Sequence, residues 1–218
     1  MALPKIHPYT YTVTDHPNKV NWSLDPSRAA LLVHDMQHHF VDVFDREDDS
    51  AQINVAIRHI AGMLRHAREN NVPVYFTAQP PRQDPADRQL LTDFWGPGLA
   101  EDSAAQIIAE VAPEDGDTVL DKWRYSAFAK STFEQELKDA GRDQLVICGV
   151  YAHIGCLTTA TDAFMRDIQP FLVADSLADF TADEHTMACD YAAQRCARVV
   201  DSDYIDRAFA MDEARRAA

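Results

Sequence analysis

Apolar residues run through this chain in two rhythms. Short dense runs, "AALLVHD" (29–35), "VPVYFTA" (72–78), "TVLDK" (118–122), "QLVICGVY" (144–151), "QPFLVAD" (169–175) and "RVVD" (198–201), read as strands. Between them the spacing changes to that of a helix. Ile53, Ala56, Ile57, Ile60, Met63, Leu64 and Ala67 form one stripe along "INVAIRHIAGMLRHAREN". "SAAQIIAEVA" (103–112), "KSTFEQELKDAG" (130–141), "LTTATDAFMRD" (157–167), "DEHTMACDYAAQRCA" (183–197) and the tail beyond residue 201 also read as helices. Proline and glycine make "QPPRQDPADRQ" (79–89) and "FWGPG" (94–98) connections. Strands alternating with helices predict an α/β fold: a single-domain, doubly wound, mostly parallel sheet of about six strands with helices on both faces. No repeat, linker or low-complexity segment divides residues 1–218.

In such a sheet, ligands bind beyond the carboxyl ends of the strands. Asp35, Gln79, Lys122 and the segment Tyr151 to Cys156 follow the first four strands. Each alone reads better as an ordinary loop residue; an acid, an amide, a lysine and a phenol converging on one edge read as a site. Charge narrows the partners. The 35 acidic and 20 basic residues give a net charge of −15, which argues against nucleic acid or an anionic membrane. A small anionic substrate needs only a few local cations and stays open. "MALPKIHPYTYTV" lacks the apolar core of a signal peptide, and no run approaches the roughly 18 apolar residues of a membrane span. Four cysteines, at 148, 156, 189 and 196, form no CxxC pair. A cytoplasmic protein with reduced thiols is expected.

"GVYAHIGC" sets Cys156 at a strand-to-helix junction, where a cysteine hydrolase would carry its nucleophile. "LLVHDMQHHF", "VYFTAQP", "DFWGPGL", "KWRYSAF", "GVYAHIGC" and "DAFMRDIQPFLVADSLADF", in that order between about Ile6 and Val200, resemble the isochorismatase branch of the isochorismatase-like cysteine hydrolase superfamily. Amidases of that superfamily use an Asp, a Lys and a nucleophilic Cys, and the resemblance matches Asp35 and Lys122 to the first two. Aligned on "TATDA" (159–163), the nucleophile column falls on Gly155, as in isochorismatase-type members, and Cys156 comes one residue late. On a helix one residue is a rotation of about 100°, so Cys156 reads as a packed core thiol. The N–H of Gly155, near a helix start, could hold an anionic oxygen.

"HDMQHH" offers His34, Asp35, His38 and His39 as a possible ligand cluster. Strand alternation, however, sends His34 and Asp35 to opposite faces. The D-x-H and D-W-H-P motifs of the nicotinamidase branch are also missing, so no metal and no cofactor is expected. Without a thiol or a metal-activated water an amide resists cleavage, whereas a vinyl ether needs only a proton donor to begin.

The resemblance implies isochorismate as substrate, with pyruvate and 2,3-dihydro-2,3-dihydroxybenzoate as products, in siderophore biosynthesis. Asp35 would be the general acid, its carboxyl raised by about three pH units to be protonated near neutrality. Arg88 and Lys122 would hold the two carboxylates of a dianionic chorismate-derived substrate. Gln79 and Tyr151 would hydrogen-bond it, and Trp95, Tyr125 and Phe40 would wall the ring. Plainer readings stand beside these: a structural Asp35–Lys122 ion pair, core packing for Trp95 and Tyr125, a solvated Arg88. Rival functions are hydrolysis of 2-amino-2-deoxyisochorismate, a cysteine amidase (which needs a thiol at position 155) and a catalytically silent binding subunit. Family analogy implies a homodimer or higher oligomer; a fused aryl-carrier domain is not expected.

Overall fold

The structure, a computed structural model, describes residues 3–13 and 16–216, with side chains through residue 210. Six strands form one sheet: β1 (Ala29–His34), β2 (Val74–Ala78), β3 (Thr118–Asp121), β4 (Gln144–Val150), β5 (Gln169–Ala178) and β6 (Arg198–Val200). Their order is β3-β2-β1-β4-β5-β6, and every pairing is parallel. Five longer helices flank it: α1 (Gln52–Glu69), α2 (Phe133–Asp139), α3 (Leu157–Phe164), α4 (Ala182–Arg195) and α5 (Ser202–Arg216).

Alternation along the strands explains why they are apolar throughout. Ala29, Leu31 and Val33 of β1 join Phe76, Val146 and Phe171 in a core with Ile53, Ile60 and Met63 of α1 and Phe209 of α5. Ala30 and Leu32 point the other way, into a core with Leu145, Ile147 and Leu172. Phe133 of α2, Ala160 of α3 and Ala188 of α4 close that second layer. In the central strands β1 and β4 neither face meets water, so neither tolerates the polar half of an amphipathic strand. Ile60, fully buried, illustrates the energetics: its truncation to alanine is expected to cost about 2–5 kcal/mol.

The chain winds outward from β1 to β3, returns to the centre, and winds the other way from β4 to β6. The crevice at the carboxyl ends of β1 and β4 is therefore the point where the winding reverses, the place such sheets keep for ligands. At the far rim the Asn18 amide donates to the Val199 carbonyl (2.9 Å) and accepts from the Val199 N–H (2.7 Å). Among the described residues no helix is long and apolar enough to cross a membrane.

The predicted fold class stands, with local departures. The helix expected over 103–112 survives only as Asp102–Ala105 and a 3₁₀ turn, Ala109–Val111. Ile107 instead bridges Gln37 in antiparallel fashion, with the His38 N–H donating to the Gln106 carbonyl and the Ile108 N–H to Met36 (both 2.9 Å). Those backbone bonds displace the helical ones. Phe94 and Trp95 end a short helix, Leu91–Trp95, rather than lying in a loop. β5 runs three residues past the expected end, to Ala178.

Candidate active site

Asp35 follows β1 with φ of 51°, a left-handed conformation that aspartate tolerates better than most residues. Thr77 of β2 holds it there. The Thr77 hydroxyl accepts from the Asp35 N–H (3.0 Å) and donates to Oδ1 (2.5 Å). Lys122, just past β3, donates from Nζ to Oδ2 at 3.0 Å, and both side chains are buried. The turn at Asp35 breaks the strand alternation. His34 and Asp35 therefore do not diverge as expected: His34 Nδ1 lies 3.5 Å from Asp35 Oδ2.

Burial alone would raise the Asp35 carboxyl, but His34, Lys122 and the Thr77 hydroxyl together hold it below its ordinary value. The free protein thus carries an ionised Asp35, the reverse of the elevated carboxyl expected from sequence. The Asp35–Lys122 ion pair, the plainer of the two readings of these residues, is present in the free protein. His34 is fully buried, and burial lowers its imidazole to about 4. Its Nδ1 lies 2.9 Å from the Val150 carbonyl, which can only accept, so the neutral ring carries its proton on Nδ1.

Asp35, Lys122, Gly155, Gln79, Arg88, Trp95, Tyr125, Tyr151 and Phe40 all line one recess. Arg88 is not solvated, as its polar loop had allowed; it is 4% exposed. Its Nε donates to the Gly96 carbonyl (2.6 Å), and Nη1 donates to Gln83 Oε1 (3.0 Å) and Gln79 Oε1 (3.3 Å). Gly98, at φ 85°, lets the loop close over it, since a Cβ there would come within 2.7 Å of Arg88 Nη1. Among the described residues no carboxylate pairs with Arg88, which leaves a buried cation facing the recess. Trp95 Nε1 donates to the Tyr125 hydroxyl at 2.8 Å, joining the two walls. The Tyr151 hydroxyl donates to the Phe40 carbonyl (2.9 Å), which leaves its oxygen free to accept a hydrogen bond but not to donate one elsewhere.

Sequence reasoning missed several supports. Gln37, fully buried, accepts from the Gln79 N–H (2.7 Å) and donates to the Gln79 and Ala105 carbonyls (2.9 and 2.6 Å). The signal was an amide three residues past a buried strand, where every polar atom needs a partner. Thr77, two residues before Gln79 in "VYFTAQP", was hidden by its β-branched fit to a strand. Leu3, His39, Leu91 and Ile154 complete the lining.

Gly155 lies under the His34 ring, inside a π-helical turn, Ala152–Cys156, that leads into α3. Cys156 is fully buried in the second core, and burial, followed by the charge of Asp35, pushes its thiol well above the ordinary value. A neutral thiol packed among alanines is no nucleophile. The "HDMQHH" side chains do not gather around a common point. Among the described residues the group spaced to share a metal ion is His153, Asp179 and Glu184. Asp179 there is already engaged by the His153 and Phe180 N–H groups and the His153 ring.

Known proteins resemble this chain over most of its length. A family model described as the isochorismatase domain matches residues 29–204. Enterobactin synthase component B of Escherichia coli K12 is 52% identical over 203 residues, 92% of this chain and 70% of that protein. A Bacillus subtilis protein named isochorismatase is 50% identical over 206 residues, 93% of this chain and 65% of its own length. Phenazine biosynthesis protein PhzD of Pseudomonas fluorescens is 47% identical over 207 residues, 94% of this chain and 98% of that one.

Proposed function

This chain belongs to the isochorismatase family, and from that premise we propose that it hydrolyses the enolpyruvyl vinyl ether of isochorismate to pyruvate and 2,3-dihydro-2,3-dihydroxybenzoate. One observation carries the reading: the recess presents a buried carboxyl group and two buried cations, Lys122 and Arg88, while every described cysteine is buried away from it. Such a site can bind a dianion and move a proton; it has no thiol with which to form an acyl intermediate.

Asp35, once protonated, donates to the terminal methylene carbon of the vinyl ether, and the developing positive charge is shared with the ether oxygen. Water adds to that oxocarbenium carbon and returns a proton to the Asp35 carboxylate. The hemiketal then collapses: its C–O bond to the ring breaks, the ring oxygen leaves as a hydroxyl, and the ketone of pyruvate forms. Proton and electron pair balance at each step. Arg88 and Lys122 receive the two substrate carboxylates, and the Lys122 contact weakens its hold on Asp35. The walls of Trp95, Tyr125 and Phe40 exclude bulk water and so strengthen these charge interactions.

Pyruvate release from isochorismate, coupled to lactate dehydrogenase, tests the proposal; no turnover by the purified chain would end it. The phenazine relative supports a second substrate, 2-amino-2-deoxyisochorismate, which has the same vinyl ether. Isochorismate is the expected preference, read as the higher kcat/KM in a side-by-side assay. The reaction is assigned to the cytoplasm and to a homodimer or higher oligomer, which sedimentation checks.

A further inference from the structure

His34 has no part in the proton transfer just described, yet it governs position 155. Gly155 is not among the residues with positive φ, so its backbone makes no demand for glycine. A neighbouring side chain does. A Cβ at position 155 would lie 2.1 Å from His34 Cε1, 2.8 Å from Nε2 and 2.9 Å from Nδ1. The ring has little freedom to yield. It is fully buried, its Nδ1 is held by the Val150 carbonyl, and its backbone is fixed in β1 opposite Gly149 of β4.

We infer that His34 is the specificity-determining residue of this site: its imidazole stands in the volume that a side chain at position 155 would fill. The ring closes the site to a nucleophile at that position and confines it to proton transfer from Asp35. The inference deepens the proposed function and rests on it for the reaction; the packing of ring against glycine does not. The same ring also borders the acid, with Nδ1 3.5 Å from Asp35 Oδ2, so crowding at position 155 is transmitted to the catalytic carboxyl.

The test compares Gly155→Ala and Gly155→Cys in the parent and in a His34→Ala background. Thermal midpoints, kcat and KM on isochorismate, and iodoacetamide labelling of the introduced thiol mapped by peptide mass are the readouts. In the parent, Gly155→Ala is expected to lower Tm by about 5 °C, as overpacking does. It should also lower kcat at least tenfold while KM changes by less than about threefold, because the ring is pushed against the acid. In the His34→Ala background the same substitution should leave Tm within about 1 °C, since the space is free. The introduced thiol should be labelled at least tenfold faster there than with the histidine in place.

Equal Tm losses in the two backgrounds, or a labelling rate indifferent to His34, would overturn the inference. If Gly155→Cys alone does not fold, the alanine pair and the doubly substituted thiol protein still decide it. A parent that releases no pyruvate, combined with coupled Tm values, counts against the proposed reaction and leaves the His34–Gly155 pairing in place.

Discussion

If Asp35 delivers the proton, kcat/KM must fall as pH rises, because the free protein holds this carboxyl ionised. Its ordinary value is 3.8, and its surroundings push it lower. Protonating it at pH 7 therefore costs at least about 4 kcal/mol: three pH units at about 1.4 kcal/mol each. The Lys122 ammonium lies 3.0 Å from Oδ2, and a charge pair at that distance is worth about 5.5 kcal/mol at an effective dielectric of about 20. A substrate carboxylate that takes over Lys122 relieves this attraction and adds a like charge beside Asp35. The exchange is thus of the right size to restore the carboxyl's affinity for a proton.

Two profiles follow. Referred to the free enzyme, kcat/KM should drop about tenfold per pH unit between about pH 5.5 and 8.5. Referred to the complex, kcat should stay level at the acid end and decline only above an apparent pKa several units higher. Initial rates of pyruvate release, with the coupling enzyme in excess at each pH, measure both. A kcat/KM that is flat or rising between about pH 6 and 8, at rates unaffected by solvent viscosity, would refute the general-acid assignment.

Three further outcomes are expected. Asp35→Asn, which keeps the shape and removes the acid, should lower kcat by about 10²- to 10⁴-fold in the same pyruvate assay. Cys156→Ala should keep at least half the turnover and lose about 1 kcal/mol of stability in urea titrations, as a buried thiol with no catalytic part would. His185 hydrogen-bonds the Ala174 carbonyl through Nε2, and burial lowers its imidazole from 6.5 to about 4. The unfolded chain takes up that proton first, so this contribution is complete above about pH 6.5 and is lost as pH falls toward 4. Between pH 7.5 and 5, His185→Gln should lose about 2 kcal/mol less stability than the parent in urea titrations.

The sheet was legible in the sequence because strands buried on both faces leave unbroken apolar runs, and β1, β2 and β4 do so. Parallel order then sends the residues after each strand to one edge, which is how Asp35, Gln79, Lys122 and Gly155 come to face the same recess. What periodicity could not show depends on contacts between distant segments. The left-handed turn at Asp35 is held by Thr77, 42 residues away, and a rule that extends the strand by one residue misplaces both His34 and Asp35. The helix expected at 103–112 was lost to backbone bonds with residues 36–38. Arg88 sits in a segment whose composition reads as solvent-facing, and it is buried because a glycine turn folds over it. The pull of Lys122 on the Asp35 carboxyl was legible as an ion pair, whereas the approach of the His34 ring was not, because it depends on the turn that alternation does not foresee.

Asn18 gives the middle residue of β6 both bonds that a further strand's backbone would offer. A single amide therefore serves as a selvedge, finishing the fabric where it would otherwise fray into pairing with another molecule. The opposite border, β3, is only four residues long and ends in an exposed aspartate, a different remedy for the same hazard. Substitution of Asn18 would thus unpick one border and leave the other intact.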